Sequence, residues 1–333
     1  MAAALSSQFQ PLRDDLYRDT RRMLDTLELE DNAHEDVFLL QRAQAWTLVA
    51  VYESMRTTFR RAWISAGRAF RLTQLMKLNE IDCPDASPPG MAMSFLDQLD
   101  CIEAEEKRRT FWTVFCLDRF MCVLEGHPLT VNEDMVRTSI ISVSLIFLCT
   151  TYVVDQALLL RKASVRLPTS EVEFQSGAVG MAPFLSDLME ATNDDPMSPF
   201  AECIVFAAIW GRVLCHQQLY VAEQASGKSA TEFWSRHFWL DNLLTKRIQL
   251  HQQSYPAPSI WVEPMLLFTS MTAQAVILSL CKVVESATCK TRPYRDIVAQ
   301  YRQKSSAAAQ EIAMLSKNLS QLNCFKVVPL CPL

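Results

Sequence analysis

Two runs of carboxylates are the first residues here whose types could do chemistry. A helical enzyme acting on a diphosphate holds magnesium with aspartates repeated along one helix face. Asp14-Asp15 is followed by Asp19 at the wrong spacing for that, and Asn193-Asp194 is followed by Met197 where a hydroxyl ligand is required. Ser226-Gly227-Lys228-Ser229 matches the end of a phosphate-binding loop, but Ala222 takes the place of its first glycine and no strand pattern precedes it. The local reading is a helix closed by Gly227 and another capped by Ser229, with Glu232 completing a capping box.

The 11 cysteines are odd in number and irregularly spaced, with no pair separated by two residues. His34, His127, His216, His237 and His251 never pair at the spacing of helical ligands. There is no G-x-S-x-G elbow, and Cys116 and Cys122 lie in apolar helical surroundings where a thiol behaves as a small hydrophobe. No catalytic, cofactor-binding or metal-ligating residue is therefore assigned, no cofactor is implied, and a small-molecule enzyme is the remote alternative. Lys107-Arg108-Arg109 is the strongest basic run, with Glu103 and Glu105 four residues before Lys107 and Arg109. That spacing predicts ion pairs along a solvated helix face rather than a nuclear-import or DNA-contact patch. The net charge of -5 also argues against a phosphate-binding surface, so no direct nucleic-acid contact is expected from this chain alone.

The elements that would position these residues are helices. Glycine numbers only 7 while Leu, Ala, Met, Gln, Glu and Arg are plentiful, which predicts an all-α fold, a multi-helix array of packed antiparallel helices. Leu12, Leu16, Met23, Leu24 and Leu27 share one face, and Val37, Leu40, Ala43, Thr47, Ala50 and Met55 another, as in two packed helices. A third helix holds Phe59, Trp63, Ala66 and Phe70 and runs to Leu78, before a loop from Cys83 to Gly90. Leu99 to Leu124 reads as an aromatic core helix through Phe111, Val114, Phe115, Leu117, Phe120 and Met121. Pro168 to Pro199 reads as a polar, flexible stretch. A helical pair follows through Ile204, Ala208, Gly211 and Cys215, then Phe233, His237, Leu240, Leu244 and Ile248. An apolar helix spans Met265 to Val284. A last one carries Val298, Tyr301, Ser305, Ala308, Ile312, Leu315, Leu319 and Leu322 as a core-facing stripe rather than a dimerising coiled coil.

The stretch Ala62 to Pro84 followed by Glu103 to Thr138 resembles the middle homology region of fungal binuclear zinc-cluster transcription factors. The first carries Gly67, Ala69, Arg71 and Leu72 as a G-x-A-x-R-L helix. The second carries Glu105, Arg108, Arg109, Thr110 and Trp112, then the Asp118-Arg119 pair, the Gly126 to Pro128 turn, and Glu133-Asp134. Weaker likeness runs through Phe233 to Leu244 and Ala308 to Asn323. The resemblance implies a helical domain that regulates activation, by answering an effector or masking an activation segment, and no catalytic role for the motif residues. These read as core aromatics, a glycine for helix approach and surface ion pairs.

Three departures from the family pattern set further expectations. No six-cysteine zinc cluster precedes Leu12, and the sequence stops at Cys324 to Leu333, where similar proteins continue. The apolar stretch Ser139 to Val165 interrupts a junction that family members cross almost directly, and reads as a translated intron. The competing reading is a transmembrane helix over Ile140 to Leu160 beside Arg161-Lys162, burdened by Asp155. The expected division is a regulatory half over 12–138, an insert over 139–165 and a truncated second half over 166–333. The function expected is a nuclear transcription regulator, for a secondary-metabolite gene set. Its partners are the transcription machinery or a homologous DNA-binding factor, a small molecule is its effector, and no membrane is expected. The alternative is a stand-alone interaction module that modulates an intact homologue without binding DNA.

Overall fold

A computed structural model of the chain describes residues 10–29, 38–82, 95–130, 165–177, 180–190, 197–226, 230–256, 263–286 and 292–321. Among these, ten α-helices follow in order: α1 (Gln10–Leu29), α2 (Leu39–Met55), α3 (Phe59–Leu75), α4 (Phe95–Glu125), α5 (Glu171–Ser176), α6 (Leu185–Glu190), α7 (Pro199–Ser226), α8 (Ala230–Ser254), α9 (Pro264–Ser286) and α10 (Arg292–Gln321). The only extended pairing among the described residues is one antiparallel bridge between Arg166 and Phe184, so the all-α expectation holds.

Two helical hairpins and one central helix organise the core. α2 and α3 pack through small residues, Ala43 and Ala50 on one and Ala62, Ala66 and Ala69 on the other, all buried, which lets the two backbones approach closely. α7 is packed against α4, α8 and α9. Its Ile204, Phe206 and Ile209 join Trp112 and Phe115 of α4, Leu244 of α8 and Val276 and Leu280 of α9 in one cluster. Each such side chain contributes about 2 kcal/mol of transfer free energy on burial. α10 buries Tyr301, Ala308 and Leu315 at seven-residue spacing against α9 and α8, the core-facing stripe that the sequence predicts. Mostly buried in the same core, α7 and α9 are apolar and long enough to cross a membrane, with 78% and 61% of their most apolar windows inside the fold.

Three expectations are corrected. The apolar stripe of α1 does not face the core: Leu12, Leu16, Met23 and Leu27 are 53%, 54%, 66% and 40% exposed, and only Leu24 is buried. What α1 turns inward is Arg13, Tyr17, Arg21 and Leu24, because the buried carboxylate of Glu53 on α2 demands polar partners there. α3 stops at Leu75 rather than Leu78, since Lys77 adopts a left-handed φ of 53° and starts a separate short turn at Leu78–Glu80. The stretch from Pro168 to Pro199 is structured where described: Leu167, Leu185, Leu188 and Met189 are core residues, and Ser170 caps α5 in a capping box with Glu173. Val165, assigned from sequence to the insert, is fully buried in the same core. The rest of the insert, with both of its readings, lies outside the described residues, as do the loop from Cys83, the Gly227 to Ser229 turn, Glu133-Asp134 and the end of the α10 stripe from Leu322.

Scarce glycine leaves a mark on the helix ends. α4 closes conventionally: Gly126 sits at φ 71° and the His127 amide reaches back to the Cys122 carbonyl at 3.0 Å. α2 closes with the same pattern, Thr58 N–H to the Glu53 carbonyl at 3.0 Å and Thr57 N–H to Ser54 at 2.9 Å, but the left-handed residue is Thr57 at φ 56°. A β-branched side chain there costs about 1–2 kcal/mol. Replacing Thr57 with Gly should therefore stabilise the fold by about 0.5–1 kcal/mol, and Gly126→Ala should cost about 1 kcal/mol, both read from urea denaturation midpoints. Equal signs for the two substitutions would overturn this account.

Candidate functional site

The motif residues of α4 converge on one returning segment, residues 165–170. Glu105 is wholly buried, and its Oε1 accepts the Thr169 amide at 2.9 Å, the Thr169 hydroxyl at 3.1 Å and Arg109 Nε at 3.2 Å. Arg109, 2% exposed, donates through Nη2 to the carbonyls of Thr169 at 3.1 Å and Ser170 at 3.3 Å, and through Nη1 to Glu171 at 2.7 Å. Its guanidinium also lies over the Phe174 ring at 4.3 Å. Helical spacing explains the set: Glu105, Arg108, Arg109 and Trp112 recur at three and four and so share one face of α4.

The neighbouring positions lengthen the clamp. Arg108 grips Asp82 with Nε at 2.9 Å and Nη2 at 2.7 Å, and Asp82 in turn accepts the Arg166 amide at 2.8 Å. Burial disfavours the Arg108 charge, but Asp82 and Glu105 outweigh it and hold the guanidinium above its ordinary pKa. Trp112 donates its indole N–H to the Arg166 carbonyl at 2.6 Å. At the far end of α4, Asp118 accepts the Thr130 amide at 3.3 Å and also takes the Thr130 hydroxyl, while Arg119 covers the Phe115 ring at 3.3 Å. Gly211 of α7 is the close-approach glycine, since a Cβ there would meet Leu129 at 3.1 Å and Arg119 at 3.2 Å. At Gly67, the motif glycine, the nearest atom to an added Cβ belongs to Arg71 of the same helix, so the expected helix approach at Gly67 is corrected.

The basic run thus divides in a way its sequence did not announce. Lys107 pairs with Glu103 at 2.6 Å on the surface, as predicted, and lowers the Glu103 carboxyl below its usual range. Arg108 and Arg109 are neither solvated nor available to phosphate; their charges are spent inside the fold. Cys116 and Cys122 are buried as expected, and burial pushes the Cys122 thiol up to about 12.

A second constellation had no signal in the sequence, because its members come from three distant helices. His251 of α8 contacts the Glu202 carboxylate of α7 through Nδ1 and stands 2.9 Å from the Ser270 hydroxyl of α9 through Nε2. That order is the one a serine nucleophile would use. Ser270, however, sits inside α9, whose neighbouring amides are bonded within the helix, so no donor pair faces an oxyanion there. The arrangement ties α7, α8 and α9 together. A third polar pair, His216 and His237, meets at 3.3 Å with both rings buried against Phe233. Burial lowers both pKa values; His237 and Arg236 push His216 further down, and for His237 the lowering by Lys304 is opposed by Asp241.

Comparison with known proteins adds the following. Residues 1–255 match the family model described as "Fungal specific transcription factor domain". The chain is 42% identical over 333 residues to the pigment biosynthesis transcriptional activator of Monascus ruber, covering 100% of this chain and 55% of that protein. It is 38% identical over 333 residues to the citrinin biosynthesis transcriptional activator of Monascus purpureus, covering 100% of this chain and 52% of that protein. It is 35% identical over 328 residues to an azaphilone cluster-specific transcription factor of Aspergillus niger, covering 98% of this chain and 63% of that protein. The chain thus spans little more than half the length of these relatives. No solved structure matches it.

The clamp and the histidine pair each give a measurable expectation. Arg109→Met removes one of the two arginines that pair with the buried Glu105 and unbinds the carbonyls of Thr169 and Ser170, and should cost about 3 kcal/mol in urea unfolding, whereas Lys107→Met should stay within about 0.5 kcal/mol. Comparable losses at the two positions would refute the division of the basic run. For the histidines, folded pKa values below the unfolded one mean that the unfolded chain binds more protons in acid. Stability should therefore fall as the pH drops below about 6.5, by roughly 1–2 kcal/mol per histidine between pH 7 and pH 5. A double His216→Gln/His237→Gln variant should lose that part of the slope; an unchanged slope would contradict the assignment.

Proposed function

Because the chain belongs to the fungal specific transcription factor domain family, we propose that it is the regulatory domain of a nuclear transcription regulator serving a secondary-metabolite gene cluster. The names of the relatives support the cluster assignment, since those proteins are activators of pigment and citrinin biosynthesis. The observation that carries the reading within this chain is how its charged motif residues are used. Glu105 and Arg109 bind the chain's own 165–170 segment directly, and Arg108 holds it through Asp82, which is the work of a regulatory scaffold and not of turnover. Regulation through such a scaffold needs a segment whose docking can be biased, and the clamp supplies the docking.

In this reading DNA contact comes from another segment or from a homologous DNA-binding factor, consistent with a net charge of -5. The transcription machinery is the other partner, and the input is a small-molecule effector. The test is to place the 333-residue chain between a heterologous DNA-binding domain and an activation segment, with a reporter gene in a fungal host. The chain should change reporter output several-fold relative to the fusion that lacks it, and Arg109→Met should abolish the change. A fusion that occupies its site on the DNA yet leaves output unaltered would refute the proposal.

A further inference from the structure

A cleft of about 750 Å³ lies between α1 and the turn joining α2 to α3. Its volume is within the range of ligand pockets, roughly 300–1,000 Å³. The three carboxylates that line it are already engaged. Asp14 pairs with Arg13 at 3.2 Å, Asp25 with Arg68 at 2.5 Å, and Glu53 with Arg21 at 2.5 Å. Glu53 is 1% exposed and also accepts the hydroxyls of Tyr17 and Ser65, so it has nothing left to offer a second cation.

Of the other arginines on the lining, Arg18 pairs with Asp15 at 2.9 Å, and Arg22, Arg56 and Arg61 have no carboxylate within ion-pair distance among the described residues. Three uncompensated guanidinium groups around one concavity are unusual in a chain whose net charge is -5. The first turn of α3 adds to them. Thr58 precedes that helix without capping it, since its hydroxyl donates to the Glu53 carbonyl at 2.8 Å, and both Thr58 and Arg61 line the cleft. The N-terminal end of α3, the positive end of its dipole, thus borders the same space.

The walls are not only cationic. Tyr17 and Tyr52 face each other with ring centroids 5.0 Å apart at 38°, both half-buried and both on the lining. Hydrogen bonding to Glu53 fixes the Tyr17 ring, and burial together with that carboxylate keeps its hydroxyl protonated, its pKa raised. A rigid aromatic wall beside a cluster of guanidinium groups matches a molecule that carries a planar ring and an acid group on one edge.

We propose that this cleft is a binding site for a planar organic acid, its carboxylate held by Arg22, Arg56 and Arg61 and its ring laid against Tyr17 and Tyr52. The concavity and the paired rings favour a small molecule over an acidic peptide or a nucleic-acid backbone, which would run along a surface. The site is a property of the folded chain and stands apart from whether the chain regulates transcription, because binding is measured on the protein alone.

The experiment is calorimetric titration of the purified 333-residue chain with 2-naphthoate, its neutral counterpart 2-naphthamide, and inorganic phosphate. Naphthoate should bind saturably with one equivalent, and naphthamide and phosphate should each bind at least about tenfold more weakly, a factor worth 1.4 kcal/mol. The triple variant Arg22→Gln/Arg56→Gln/Arg61→Gln, whose side chains are exposed and whose folding circular dichroism would confirm, should lose about tenfold or more in naphthoate affinity. Tyr52→Leu should weaken naphthoate and leave phosphate unchanged. Unaltered naphthoate affinity in the triple variant overturns the site. So does phosphate binding as tight as naphthoate, or saturable binding only to a poly-glutamate peptide or to duplex DNA.

Discussion

The Glu105 carboxylate is the constraint on which the middle of this molecule depends. An ionised carboxylate with no solvent exposure is tolerated only if its oxygens are fully engaged and its charge is matched. Glu105 meets both conditions by recruiting Arg108 and Arg109 from its own helix and Thr169 from a segment 64 residues away. The consequence is directional. α4 cannot keep its charged face inside the protein unless the 165–170 segment is present to finish the coordination, and that segment is held on its other side by the Leu167 amide to the Pro183 carbonyl at 2.9 Å and by Arg166 to the Ala182 carbonyl at 2.9 Å. Leu167 and Val165 then carry apolar surface into the core behind it.

The N-terminal helices repeat the device with another residue. Glu53 on α2 is as deeply buried as Glu105 and draws in Tyr17 and Arg21 from α1 and Ser65 from α3. This explains why α1 packs with a polar face while its leucines look outward. A leucine set against Glu53 would leave the carboxylate unpaired, at a cost of several kcal/mol, more than burying one or two leucines returns. Trp46 completes the arrangement, since Arg21 and Arg68 lie over its ring at 5.4 Å and 4.4 Å and thereby bury their stems without losing a partner.

How much of this could be read from the sequence depends on whether a residue's partner is local. The helices with apolar stripes at three and four were legible, and so were the Phe111 to Met121 core face and the Tyr301 to Leu315 stripe, because there the period alone decides which side is buried. The Lys107 to Glu103 pair was legible for the same reason. The destination of Arg109 was not: four-residue spacing to Glu105 says that they meet, but not whether they meet in water. That is settled by Thr169, which spacing on α4 cannot show. α1 failed for a related reason, because its inward face answers to Glu53 on another helix. The set of Glu202, His251 and Ser270 had no local signature at all, its members lying 49 and 19 residues apart.

Glu53 on α2 and Glu105 on α4 are connected through α2, which carries the first and is bonded to α4 beside the second. Glu53 stands near one end of that helix. Gln44, near the other, donates its amide to Glu106 at 2.9 Å and to the Thr110 hydroxyl at 3.2 Å, beside the residues that hold the 165–170 segment. A helix of 17 residues transmits displacement along its length because its own hydrogen bonds resist compression. Moving α1 against Glu53 therefore shifts a rigid element whose far end is bonded to α4, and a sub-ångström change is resisted by close packing at Ala43, Trp46 and Ala50 rather than absorbed. Transmission of that kind carries free energy only if the far contacts have two arrangements with different affinity for the near one. The clamp has the right form, since its segment is either seated on Glu105 and Arg109 or leaves both of them seeking water, with little of value in between.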